Sequence, residues 1–292
     1  MIMSSSLSIP AFSFRRKIAR AFTLIELLVT LGIVALLAAV ITSVSQSSLK
    51  KAAMAREISA GKTLINAYLL SAADNDGNLM VAHYEGNSPE IDSQQTNLPD
   101  GTLLEGGALH RYPYRLAPYF DYKIDGVILV NGNKQQVPKA FSGNMLTYGT
   151  SLCPAFGINY YFLGGHKVDG AFSQTQLTDT AFKLAQVPKP SSMLVFATAF
   201  TPDVNGQRIN GRFGIEPPAY RTTLWDENLH VDDRYQNKVL CVFLDGSVRS
   251  QSIAELRDMR LWSKNAQLND DANYRVAVAS SGGTGGGSGG RK

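Results

Sequence analysis

Cysteine is scarce in this chain of 292 residues: Cys153 and Cys241 stand far apart, and neither belongs to a C-x-x-C pair. No cysteine-based zinc pattern is therefore present. The two residues leave two readings open. In an exported domain they can close one bridge, constraining a long loop by roughly 4 kcal/mol in the chain-entropy model; alternatively they are two small buried apolar residues, since Cys241 lies inside the run VLCVFL. Histidine is nearly as rare. His83, His110, His166 and His230 show neither H-E-x-x-H nor H-x-x-x-H spacing, so a zinc site is not expected. No G-x-S-x-G, P-loop or Ser-His-Asp arrangement is visible either. Gly285, Gly287 and Gly290 meet G-x-G-x-x-G as spacing alone, with no strand before them and no helix after, which excludes a dinucleotide loop.

An excess of one charge is also missing from most of the chain. The formal charge is +4, yet Arg15, Arg16, Lys17 and Arg20 fall within the first 21 residues, where no acid occurs. The chain beyond them is formally neutral, so no basic domain remains to hold nucleic acid.

What is present in quantity is one long apolar run. From Leu27 to Val44 the sequence reads LLVTLGIVALLAAVITSV without a charge. A helix from Phe22 to Val44 is roughly 35 Å long at about 1.5 Å per residue, enough to cross a hydrocarbon core of about 30 Å. The basic residues before it place the N-terminus in the cytoplasm and everything after Val44 on the exported side. A cleavable secretory signal, cut near Ala38, Ala39 or Ser45, has the same outline. That alternative leaves Glu26 unexplained. An acid at a transmembrane helix centre costs about 2.5 to 3.5 kcal/mol and is usually retained where it has a partner. A cut between Ala21 and Phe22 creates one, because the freed amine of Phe22 is a cation about one helical turn from Glu26 and can meet the carboxylate of a neighbouring copy.

The stretch RAFTLIELLVTLGI resembles the prepilin cleavage and methylation motif of type IV pilins and type II secretion pseudopilins, with Ala21 standing where the family usually has glycine. Carried over by position, the resemblance implies cleavage after Ala21, N-methylation of Phe22 and assembly through Glu26. The later segments CPAFGINYYFLGG, VPKPSSMLVFATA and VLCVFLDGSV resemble large pseudopilin-like proteins, in which a histidine often precedes Asp-Gly by some nine residues; here His230 precedes Asp245 by 15.

Beyond Val44 the chain turns polar without losing helical period, with Ile58, Ile65, Tyr68, Leu69 and Ala72 near one face. A single long helix over residues 22–76 is expected, stopped by Asp74, Asn75, Asp76 and Gly77. Asp74 and Asp76 begin like a calcium loop, but its terminal glutamate is absent. The following region predicts strands at Gly126 to Val130, Ile158 to Leu163, Met193 to Ala199 and Val239 to Leu244. The last forms a hairpin with SVRS about Asp245 and Gly246 and is buried on both faces. Ile253 to Ser263 reads as a closing helix, and Gly86 to Gly107 as an exposed loop. Arg111 to Tyr122, RYPYRLAPYFDY, packs irregular loops in preference to forming a glycan surface. The tail from Ser280 is a Gly-rich coil.

The fold class is therefore α+β: a long N-terminal transmembrane and amphipathic helix packed on a C-terminal antiparallel head with long loops. Its expected divisions are a basic leader (1–21), the helix (22–76, spanning at 22–44), an exported head (77–279) and the tail (280–292). Asp226, Glu227, Asp232, Asp233 and Asp245 concentrate acids near the final hairpin. The resemblance allows calcium at Asp232, Asp233 and Asp245, since some pseudopilins bind it in a C-terminal loop; a solvated loop plus a turn aspartate is the favoured alternative. The function implied is a non-catalytic structural subunit of a type IV pilus-like or type II secretion pseudopilus filament. It would sit in the inner membrane by a single span and then in a periplasmic or extracellular fibre. Its partners would be its own copies or other pilins, a prepilin peptidase and methyltransferase, and an assembly platform. A minor or tip subunit binding a secreted substrate or surface polymer is the first alternative. A membrane-anchored hydrolase using the acids near Asp232 is the second.

Overall fold

A computed structural model describes residues 23–204, 206–218 and 231–276. The chain divides into two compact units, Met1–Leu49 and Lys50–Lys292. Helix α1, Leu24–Ala73, contributes to both. In the first unit its side chains from Leu24 to Ile41 are exposed. Thr30 satisfies its own hydroxyl by donating to the Leu27 carbonyl at 2.9 Å, which makes it tolerable in hydrocarbon.

In the second unit α1 buries Glu57, Ala60, Leu64, Ile65, Tyr68 and Ala72, a stripe at i, i+3, i+4 spacing. Full burial of Leu64 and Ile65 contributes roughly 1.5 to 3 kcal/mol each. Asp76 and Gly77 take left-handed backbone (φ 54° and 76°), and the Gly77 amide donates back to the Ala72 carbonyl at 2.8 Å. That geometry ends the helix where the DNDG sequence places its stop.

The strands follow as β1 (His83–Glu85), β2 (Gln95–Asn97), β3 (Leu103–Glu105), β4 (Phe156–Ile158), β5 (His166–Val168), β6 (Ala171–Phe172), β7 (Leu194–Thr198), β8 (Thr201–Val204), β9 (Gln207–Ile209), β10 (Val239–Phe243) and β11 (Val248–Gln251). The main sheet has order β11-β10-β7-β4 and is antiparallel throughout. Every residue of β4, β7 and β10 is buried, so these strands read as continuous apolar runs. Helix α1 packs on this sheet. The Tyr68 ring meets Phe196 edge-on at 5.8 Å, and a Cβ at Gly61 would lie 2.9 Å from Val242. Only a glycine allows that approach. A second sheet, β1-β5-β6, is mixed, because β1 and β5 run parallel with His83 opposite His166. β2-β3 and β8-β9 are separate antiparallel hairpins.

Several expectations need correction. Residues 126–130 form no strand: Gly126 is left-handed (φ 89°), a helical turn covers Ile124–Val127, and Ile128 to Val130 reach the core without joining a ladder. The expected strand from Ile158 stops there, where the Asn159 side-chain Nδ2 donates to the Leu194 and Trp262 carbonyls at 3.0 Å each. The closing helix is three pieces, Ile253–Leu256, Met259–Leu261 and Lys264–Leu268, each started by its own cap: Ser252, Asp258 and Ser263. Residues 86–107 are not a plain loop either. They carry the helix Pro89–Asp92 and the β2-β3 hairpin, and Ile91 and Leu104 form a small core with Leu109 and Tyr114.

The disulfide reading is also corrected. Cys153 and Cys241 are both free and fully buried; Cys153 Sγ lies 3.5 Å from the Thr201 hydroxyl, and Cys241 Sγ donates to the Val239 carbonyl at 3.7 Å. Both behave as small core residues. The leader and the tail lie outside the described residues.

Candidate assembly site

The residues expected to carry assembly begin at the first turn of α1. Ala21 and Phe22 lie outside the described residues. Thr23 and Glu26 hold one another: the Thr23 amide and hydroxyl donate to Glu26 Oε2 at 3.0 and 2.8 Å, and the Glu26 amide donates to Thr23 Oγ1 at 3.3 Å. This reciprocal pattern is a capping box, in which threonine at the N-cap and glutamate three residues later satisfy orphan amides of the first turn. The negative carboxylate also faces the positive end of the helix dipole. The same pattern stands in the sequence as T-L-I-E, a local capping signal that needs no distant partner. The cap occupies Glu26 Oε2. Next to this box runs an uninterrupted apolar surface, with Leu24, Ile25, Leu28, Val34 and Leu36 each more than 60% exposed. Helix α1 is the one described helix long and apolar enough to cross a membrane.

Residues 16–42 match the prokaryotic N-terminal methylation motif. This is the signature of type IV pilins and pseudopilins. No curated protein and no solved structure matches the chain significantly. The pilin-type motif together with the apolar helix fits a membrane-anchored, exported subunit.

Among the described residues, Asp232, Asp233 and Asp245 do not gather into one cluster of carboxylates. Asp232 is 2% exposed, and its oxygens face guanidinium groups instead of a cation: Arg208 Nη2 at 3.1 Å and Arg234 Nε at 3.1 Å. Arg234 also reaches Glu57 of α1 at 3.3 Å and donates to the Ala199 carbonyl at 2.7 Å. Two acids and two arginines thus balance in charge where the helix meets the head. Asn131 ties in by donating to Glu57 Oε1 at 3.1 Å and to the Ala53 carbonyl at 2.8 Å. Burial raises the Glu57 pKa above its ordinary 4.5, with Arg234 and Asn131 opposing the shift. Asp233 is exposed, and Asp245 closes the β10-β11 turn by accepting from the Ser247 amide at 2.9 Å. Asp226, Glu227 and His230 lie outside the described residues.

The histidines share no motif spacing in the sequence, and the fold joins two of them. His83 and His166 are paired across β1 and β5, with Glu85 on the same face of β1 as His83. His166 Nε2 lies 2.8 Å from Glu85 Oε2. Burial, followed by the neighbouring His166, Arg111, Arg115 and His110, pushes the His83 pKa down to about 2. His110 is engaged elsewhere, with its Nε2 2.6 Å from Asp92.

Proposed function

We propose that the chain is a structural subunit of a type IV pilus-like or type II secretion pseudopilus filament. It enters the inner membrane by one span, is cut after Ala21 by a prepilin peptidase, is N-methylated on Phe22, and joins other subunits through α1. The observation that carries this reading is the order basic flank, small residue, Phe22, capping box at Thr23 and Glu26, and an exposed apolar helix, all inside the matched motif. Burial of that apolar surface against neighbouring helices drives assembly. The new amine of Phe22 on one copy neutralises Glu26 on the next, which removes the cost of an acid in hydrocarbon and sets the stagger.

Loss of the prepilin peptidase is expected to leave the whole population in the membrane as a longer precursor, absent from sheared or released filament fractions. A chain of unchanged length that still reaches those fractions in peptidase-deficient cells would overturn the proposal.

A further inference from the structure

We propose that His83, Glu85 and His166 form a site for a divalent transition metal of the zinc class, stapling β1 to β5 in the exported head. This goes beyond filament assembly and does not depend on it. Residues two apart on a strand share a face, so His83 and Glu85 project together from β1, and the parallel register sets His166 beside His83. One donor atom from each of the three lies within 4.8 Å of the others. The residues of a tetrahedral ion stand about 2.0 to 2.2 Å from it, so donors about 3.4 Å apart suffice and the group has only to contract.

A second observation points to a ligand. His83 is nine-tenths buried, and among the described residues its Nδ1 has no hydrogen-bond partner. A buried nitrogen left unsatisfied costs free energy and calls for a physical reason. The rings of Phe213 at 4.5 Å and Tyr160 at 6.0 Å wall one side of the imidazole and leave the Glu85 side open. The Glu85 side chain is 60% exposed and supplies an entry path.

Two imidazoles and one carboxylate suit zinc better than calcium or magnesium, which prefer oxygen alone, and a water completes the tetrahedron. The His83 and His166 rings now stack at 5.0 Å with 16° between their planes. An ion must lie near the plane of each ring, so binding turns His166 and exchanges its hydrogen bond to Glu85 for coordination. The charges of Arg111 and Arg115 oppose a cation here, and both guanidiniums are held by neutral oxygens, Arg111 on the Gly107 carbonyl and Arg115 on the Val81 and Ala82 carbonyls. A staple has a purpose in this head, because its two cysteines form no bridge and β1 and β5 share only three residue pairs.

The test uses the full chain in detergent, stripped with chelator and titrated with zinc chloride, then with cobalt(II) as a visible-absorption probe. One ion per chain, a raised melting temperature and a tetrahedral cobalt spectrum are expected. Glu85→Gln, at an exposed side chain, and His166→Ala are each expected to weaken binding by about tenfold or more, while His110→Ala leaves it unchanged. No stoichiometric binding, or binding that survives both Glu85→Gln and His166→Ala, would overturn the site.

Discussion

Glu26→Val is expected to insert into the membrane at least as well as the parent chain and to be lost from filaments. The acid is a burden to insertion, costing up to about 2.5 to 3.5 kcal/mol at a helix centre, so removing it cannot harm the span. Under the proposed pairing, its removal strands the amine of the neighbouring copy. Breaking one side of a buried pair costs about 3 to 5 kcal/mol, over roughly a hundredfold in association. The capping box supplies a second explanation for the same residue, and two further variants separate the explanations. Glu26→Gln keeps the box, because glutamine at the third helical position can reciprocate with the N-cap, and removes the charge. Thr23→Ala removes the cap, at about 0.5 to 2 kcal/mol, and keeps the charge. If charge pairing governs assembly, Glu26→Gln fails with Glu26→Val while Thr23→Ala still incorporates. Quantitative blotting of membrane and filament fractions reads all three. Normal incorporation of Glu26→Gln would reduce Glu26 to a helix cap.

Arg234→Met is expected to be the most destabilising single change in the head. It leaves the buried acids Glu57 and Asp232 without the guanidinium that faces both. The expected loss is again about 3 to 5 kcal/mol, and roughly 6 to 20 °C in melting temperature for a unit of this size. Glu57→Gln is milder, since it keeps a polar group beside Asn131 and Arg234. It has its own signature in pH. Because burial raises the native pKa of Glu57 above 4.5, the folded chain holds this proton more tightly than the unfolded chain does. The contribution of Glu57 to stability is fully present below pH 4.5 and is lost as pH rises through its elevated native value. The parent chain should therefore lose stability across that window relative to Glu57→Gln, read as melting temperature against pH. Identical slopes for the two proteins would contradict the assignment, as would an Arg234→Met chain that melts with the parent.

The parts of the molecule legible in sequence are those fixed by local rules. The α1 stop needed only a residue able to adopt positive φ at Gly77, and the β10-β11 hairpin needed only Asp245-Gly246 between two apolar runs. The span was legible because eighteen uncharged residues in a row admit few other fates. What was missed depends on contacts distant in sequence. Nothing local to Glu57 marks it as buried; Arg234, 177 residues away, is what meets it in the fold. Asp232 reads as part of a solvated acidic loop until the same arginine is brought to it in the core. His83 and His166, 83 residues apart, pair through a parallel register that no motif spacing encodes. Gly126 misled because an apolar run beside it is equally compatible with a buried turn.

The direct measurement is the mass of the N-terminal peptide of the protein isolated from cell envelopes. A peptide beginning at Phe22 and carrying one added methyl group on its amine is the expected result. A first residue within the basic leader, or at Ser45 or beyond, would contradict assembly through Glu26.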